Sequence, residues 1–312
     1  MTTDFDALYA ELTAFKAWWI SVVGQQSTDQ KIQTPLYHYT DAGALKGILE
    51  NEEIWFTSMF HLNDPTELKY GWDIAKGVIK EQFGEDNDRL NQVHEFFTSG
   101  FDGLSNKFGY FASFSRKGDD LGQWRAYGDN ACGVSIGINP TFFHPVPRTE
   151  HHKPNELAYV ADVIYDREKA KTLLSAPMAQ LMPVLKMGLA HQYEDQGQGM
   201  RFLAECMTAL SLPVWWYSLQ TKHDAYDQEA ETRLMIQAPK EVLREHINFR
   251  RRRSSLVPFV KSPFPARTPG YITEIILGPD ADPRLEGAVN DLLFVSGLEK
   301  TPVSRSSIPY AL

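Results

Sequence analysis

The chain has 312 residues, a formal net charge of −9, 43% hydrophobic residues and 12% aromatic residues. That length and apolar content exclude a disordered or fibrous protein and suffice for one large domain or two. The acidic balance argues against bulk attraction to nucleic acid or an anionic membrane, and two cysteines, Cys132 and Cys206, without CxxC or paired Cys/His spacing exclude a disulfide framework.

The N-terminus, Met1 to Asp6, lacks a basic segment followed by an apolar one, and no stretch reaches the apolar length of a membrane span. A bacterial cytoplasm is the simplest compartment, with no membrane partner.

In chain order, Phe5, Leu8, Tyr9, Leu12, Phe15, Trp18, Trp19 and Val22 recur at helical spacing and predict an amphipathic helix over 4–23. After a polar loop, Leu36 to Thr40 reads as a strand, Asp41 as the N-cap of a helix through Glu50, and Ile54 to Ser58 as a second strand. Asn63-Asp64-Pro65 opens another helix, with proline at its first helical position. A helix is predicted over 86–98, a strand over 108–115, a short helix over 119–127, and strands over 132–138 and 158–165. Residues 166–219 are helical, interrupted at Pro183 and at Gln196-Gly197-Gln198-Gly199. Strands return over 229–237, 256–261 and 271–277, before a helix to about residue 293 and a short final segment. No internal repeat or low-complexity linker is present. The pattern predicts a single α+β domain: an N-terminal helix and loop (1–34), a first half of the core (35–165), a helical insertion (166–220) and a second half of the core (221–312).

Two distant segments carry the chemistry. A side-chain period of two puts His38 with Leu36 and Thr40 on one strand face and Tyr37 with Tyr39 on the other. The same period puts Glu229, Glu231 and Arg233 on one face of a later strand, opposite Ala230, Thr232, Leu234 and Ile236. Charges on an otherwise apolar strand are costly unless they line a site. The expectation is a pocket with His38 and the Glu229/Glu231 pair across from each other. The bland alternatives are a core histidine bonded to backbone, and an edge strand whose outer face is solvated, with Arg233 pairing to Glu231.

Trp124 and Tyr127 flank a turn at Gly128 and are either a helix anchor or a stacking wall for a planar ligand. Arg250 to Arg253 reads as a solvated charge run, with a phosphate-facing patch as the minority reading. Lys222-His223-Asp224 reads as surface loop, and His151-His152 has no second ligand cluster, so no metal is expected. No GxGxxG, P-loop lysine motif or GxSxG elbow occurs.

Six segments together carry a resemblance: Leu36-Tyr37-His38-Tyr39-Thr40, Leu62-Asn63-Asp64-Pro65-Thr66-Glu67, Phe111-Ala112-Ser113-Phe114-Ser115, Gln123 to Asp129, Glu229 to Arg233, and Ser307-Ile308-Pro309-Tyr310. On these the chain resembles the bacterial family of unknown function numbered twenty-nine seventy-one. More loosely, the first strand-helix-strand and the late Glu-x-Glu resemble ADP-ribosyltransferases. That second resemblance implies a split β-sheet core with a helical middle insertion, and transfer of ADP-ribose from NAD, with NAD as substrate and no metal. It implies His38 on the nicotinamide ribose, the Tyr39 backbone on the nicotinamide amide, and Glu231 on the ribose 2′-hydroxyl, steadying the oxocarbenium-like state. Glu229 orients the acceptor or shares the task. Tyr70, Trp124 and Tyr127 are the candidate stacking aromatics, and Thr40, Asn63, Ser113 and Arg233 complete the implied contact set. No Ser-Thr-Ser triplet occurs, since Ser113 and Ser115 flank Phe114. The implied roles are a toxin or phage-defence effector acting on a protein or nucleic acid, or an NAD glycohydrolase. The alternative is a non-catalytic nucleotide-binding or sensing module on the same scaffold.

Overall fold

The computed structural model describes residues 5–29, 32–61, 65–83, 95, 109–144, 154–191, 196–236, 238, 240–252 and 254–310. The chain divides into two compact units, each assembled from three segments: 1–26, 63–108 and 164–224 in the first, and 27–62, 109–163 and 225–312 in the second.

The first unit is helical. It holds most of α1 (Phe5–Asp29), α3 (Pro65–Phe83), α5 (Arg167–Ala190) and α6 (Gln196–Gln220). Large aromatics knit it together: Trp19 meets Tyr217 edge-on at 5.6 Å, and Trp72 lies 5.0 Å from Trp215. Pro183 does not interrupt the helix as expected. α5 runs through both Pro177 and Pro183, and Pro213 lies inside α6. Burial of Met178, Leu181, Met182 and Leu185 on the same turns outweighs the lost backbone bonds. By length and composition α5 could cross a membrane, and 44% of its apolar window is buried. The helix expected over 86–98 lies outside the described residues, apart from the helical Glu95.

The second unit is a mixed, mostly antiparallel sheet flanked by short helices. Its strands are β1 (Leu36–Thr40), β2 (Glu53–Ser58), β3 (Tyr110–Ser115), β4 (Val134–Ile138), β5 (Ala158–Asp162), β6 (Glu231–Ile236), β7 (Ile247–Arg252), β8 (Ser255–Pro263), β9 (Ile272–Leu277) and β10 (Val303–Arg305). The path runs β10-β9-β4-β1-β3-β2-β8-β7, with β6 on β3 and β5 on β6. α2 (Ala42–Asn51), α4 (Leu121–Tyr127), α7 (Lys240–Leu243) and α8 (Leu285–Val295) complete it. The expected cap is present: Asp41 accepts the Ala44 N–H at 2.7 Å and starts α2.

Alternation along the strands gives the sheet two faces. One carries Leu36, Phe56, Phe114, Ile136, Leu234 and Ile275, on which α2 and α8 set Leu45, Leu49, Val289 and Leu293. Burying each such side chain is worth about 1.5–3 kcal/mol. On the other face a smaller cluster joins Tyr39, Trp124, Ala131 and Ile276, with Tyr37, Ile308 and Tyr310 packed against it.

The organising irregularity is at β3. It pairs with β6 over its whole length, from Tyr110↔Ile236 to Ser115↔Glu231. Its other edge is divided: β1 pairs with it at Ser115, and β2 pairs with it at Tyr110 and Phe111. β1 and β2 leave this edge at opposite ends and open a split along Ala112 to Phe114.

Candidate functional site

His38 projects into this split. Its Nδ1 lies 3.1 Å from the Ser113 carbonyl, and its ring is 5.6 Å from that of Phe114. A carbonyl oxygen only accepts, so Nδ1 carries the proton and the neutral ring presents Nε2 as an acceptor. Desolvation holds its pKa below the usual value; the bond to Ser113 opposes this, and the positive field of Arg250 adds to it. The imidazole is therefore neutral at neutral pH.

Glu231 opens β6, and the strand carries it inside. Because β6 is flanked by β3 and β5, all six of its residues are buried, not only alternate ones. Arg233 grips the Glu231 carboxylate with both arms of its fork, Nε to Oε1 at 2.7 Å and Nη2 to Oε2 at 2.9 Å. The guanidinium lies 4.7 Å over the Phe111 ring. The expected pairing of these two residues is present. The solvated edge strand of the bland alternative is not, since the pair sits on a fully buried strand.

Two expectations for this constellation need correction. Glu229 does not share the β6 face. It ends a 3-10 turn, Asp224–Glu229, and Ala230 (φ 45°) turns the chain before the strand begins. The turn is stitched to β3, where the Ser115 hydroxyl donates to the Glu229 carbonyl at 2.8 Å and Arg116 N–H donates to the Ala230 carbonyl. Nor do His38 and Glu231 face each other from adjacent strands. β3 lies between them, and Tyr37, Ser115 and Glu231 are successive register partners, so these three share one face. His38, one residue on, leaves β1 from the other face beside Phe114. Alternation within each strand was legible in the sequence, but the register between strands was not.

The remaining expected contacts separate in the same way. Tyr39 is buried, with its hydroxyl donating to the Lys117 carbonyl and accepting the Asp120 N–H. Thr40 ends β1 opposite Val134. Trp124 is not a stacking wall: it is fully buried, edge-on to Tyr39 at 4.8 Å, with Nε1 donating to Asp119. Tyr127, at the end of α4, is 36% exposed and keeps the aromatic surface that Trp124 has lost. Tyr70 belongs to the helical unit, against His223 at 5.2 Å. Asn63 lies outside the described residues, as do Arg253 and the pair His151-His152.

Three features went unread in the sequence. Asp119 is a knot: its carboxylate accepts from Trp124 Nε1, Ser306 Oγ and the Ser307 N–H, fastening the C-terminal tail to the loop after β3. Gly118 lets that loop cross Tyr37, because a Cβ there would sit 2.5 Å from the ring. The Tyr37 hydroxyl donates to Glu274 at 2.8 Å, and burial, this bond and the Glu274 charge push its pKa up to about 12. Third, Arg250 is a strand residue and not part of a solvated run. It reaches from β7 to the Thr57 hydroxyl at 3.0 Å and lies 5.8 Å from the Trp55 ring. Among the described residues, no group of three or more His, Cys, Asp or Glu side chains is placed to hold a metal.

Residues 123–234, less than half of the chain, match a family model described as "Protein of unknown function (DUF2971)". The match begins in α4 and ends in β6, so it takes in Trp124 to Asp129 and Glu231 to Arg233 but not His38, Ser113 or the tail. No curated protein matches the chain, and no solved structure does.

Proposed function

We propose that this chain acts on NAD at β3, beside the split that β1 and β2 leave along its edge, breaking the nicotinamide glycosidic bond and passing ADP-ribose to a macromolecule or to water. The observation that supports this most is the strand order. Three neighbouring strands supply a histidine (His38) in the split along one edge of β3, two serines (Ser113 and Ser115) on β3 itself, and a glutamate (Glu231) on β6 along its other edge. In this reading the neutral His38 accepts a ribose hydroxyl at Nε2. Glu231 counters the positive charge that develops at the anomeric carbon as nicotinamide leaves. The clamp constrains this role: Arg233 occupies one acceptor site on each Glu231 oxygen, so a ribose hydroxyl must approach the remaining lone pairs.

That clamp, with His38 and Glu231 on opposite sheet faces, favours a second reading, in which the same split binds a nucleotide without cleaving it. Nicotinamide release from NAD, followed by chromatography, separates the two. The first reading expects release by the unaltered protein, a drop of roughly a hundredfold in Glu231→Gln with NAD affinity largely kept, and weaker NAD binding as well as slower release in His38→Ala. NAD binding by calorimetry without any release assigns the protein to the second reading. Thermal melting of each variant controls for folding.

A further inference from the structure

Five arginines of this unit are matched with acids or backbone carbonyls, and Arg250 differs from them. Arg233 is held by Glu231, Arg116 by Asp162, and Arg284 by Asp282. Arg267 donates to the Leu49 carbonyl and Arg305 to the Ala281 carbonyl. Arg250 meets only a hydroxyl and an aromatic face: Thr57 Oγ1 at 3.0 Å and Trp55 at 5.8 Å. Among the described residues no carboxylate pairs with it.

The sheet explains why it lies there. The β7–β8 register sets Arg250 opposite Val257, and that of β8–β2 sets Thr57 opposite Phe259. Arg250, Phe259, Thr57 and Trp55 therefore share a face. To reach Thr57 the side chain crosses β8, a span of about 10 Å for two strand spacings. Trp55 is stacked on Phe259 at 4.1 Å and stays 39% exposed. Its indole N–H is taken by Glu53, which also pairs with Lys261 at 2.9 Å. The second cation beside Trp55 is thus neutralised, while Arg250 is not.

A half-buried guanidinium whose one polar partner among the described residues is an alcohol has most of its five N–H donors to offer. Its charge is also disfavoured by desolvation and by its neighbour Arg252. An anion brings both the missing charge and the missing acceptors, and phosphate oxygens match the planar fork. The exposed indole beside it suits a heterocyclic ring. We propose that Arg250, braced by Thr57 and lying over Trp55, is an anion subsite that takes the pyrophosphate of a nucleotide whose ring stacks on Trp55. The subsite extends the NAD reading by placing the ADP half on β2 and β7, and it rests on that reading only for the identity of the whole ligand.

Titration calorimetry with ADP, inorganic pyrophosphate and adenosine tests it, because none of these contains the nicotinamide glycosidic bond that the proposed activity breaks. The unaltered protein is expected to bind ADP and pyrophosphate more tightly than adenosine. Arg250→Gln is expected to weaken ADP and pyrophosphate about tenfold or more, the worth of one charge-assisted contact, with adenosine unchanged. Arg250→Lys, which keeps charge but loses the fork, falls between, and Trp55→Ala weakens ADP more than pyrophosphate. Equal ADP affinity in the unaltered protein and Arg250→Gln, both melting at the same temperature, overturns the subsite. So does absence of ADP binding. Binding of a single-stranded oligonucleotide that depends on Arg250 while ADP fails to bind overturns it too, in favour of a nucleic-acid contact. Arg250-dependent ADP binding without nicotinamide release keeps the subsite and removes the cleavage reading. Nicotinamide release with Arg250-independent ADP binding does the reverse.

Discussion

Arg233 and Arg250 lie on one sheet and have opposite circumstances. Arg233 is buried on an interior strand with a two-point grip on Glu231 and an aromatic ring beneath it. Arg250 comes from the terminal strand of the path, is half-buried, and ends on a hydroxyl. Burial with a partner makes a charge part of the framework, since removing either half orphans the other. Partial burial with no carboxylate partner among the described residues leaves a charge that an incoming anion can complement. The contrast separates a residue that holds the sheet from one that the proposed subsite would use.

The largest test of that contrast is Arg233→Met. It leaves Glu231 charged, buried and without its clamp, and should cost roughly 3–5 kcal/mol in urea unfolding. The double variant Arg233→Met/Glu231→Gln should recover much of that loss. Additive losses would show that the pair is not coupled. The same coupling means that Glu231→Gln will not be silent in melting experiments, so its effect on turnover must be read against its stability.

The second test uses pH. The folded-state pKa of His38 lies below the ordinary value of 6.5, so the unfolded chain binds its proton first as pH falls. Stability from the neutral ring is complete above about pH 6.5 and declines as pH drops through the window below it. Melting temperature should therefore fall from pH 7.5 to pH 5.5 more in the unaltered protein than in His38→Asn. Arg250→Gln should reduce the slope by removing the neighbouring positive field. An identical slope in His38→Asn would remove His38 as its source.

A third arginine sharpens the comparison. Arg116 also has two bonds to a carboxylate, Asp162, at 2.7 and 2.8 Å, but both side chains are more than a third exposed. Arg116→Ala should cost less than about 1 kcal/mol by denaturant titration, because solvent screens the pair. A loss as large as that of Arg233→Met would mean that pairing alone, without burial, sets the worth of an arginine here. The smallest effect is expected for the stability of Arg250→Gln, within about 0.5 kcal/mol of the unaltered protein, since no folded-state carboxylate is orphaned. A loss of several kcal/mol would place Arg250 in the framework with Arg233.

Much of the secondary structure could be read along the chain. Alternation marked β1, β2, β3, β6 and β9 within a residue or two, and Asp41 announced α2 through its capping bond. β7 was missed because four consecutive arginines, Arg250 to Arg253, read as solvated charge, although Arg250 to Arg252 lie on a strand. Pro183 misled because the rule for proline weighs a lost hydrogen bond and not the apolar burial on neighbouring turns. Ala230 set the false Glu229/Glu231 pair: nothing in Glu-Ala-Glu reveals a residue with φ of 45° between them.

Local pattern thus decided which residues face alike within one strand, because side-chain direction is a property of the backbone period. It marked His38, Ser113, Ser115, Glu231 and Arg233 as polar groups on β-prone segments. Their arrangement across the sheet was a matter of register and strand order, which depend on contacts between residues far apart in sequence. Only those long-range pairings could put β3 between His38 and Glu231, lock Glu231 to a buried Arg233, sink Trp124 beneath Tyr39, and lay Arg250 across β8 onto Thr57.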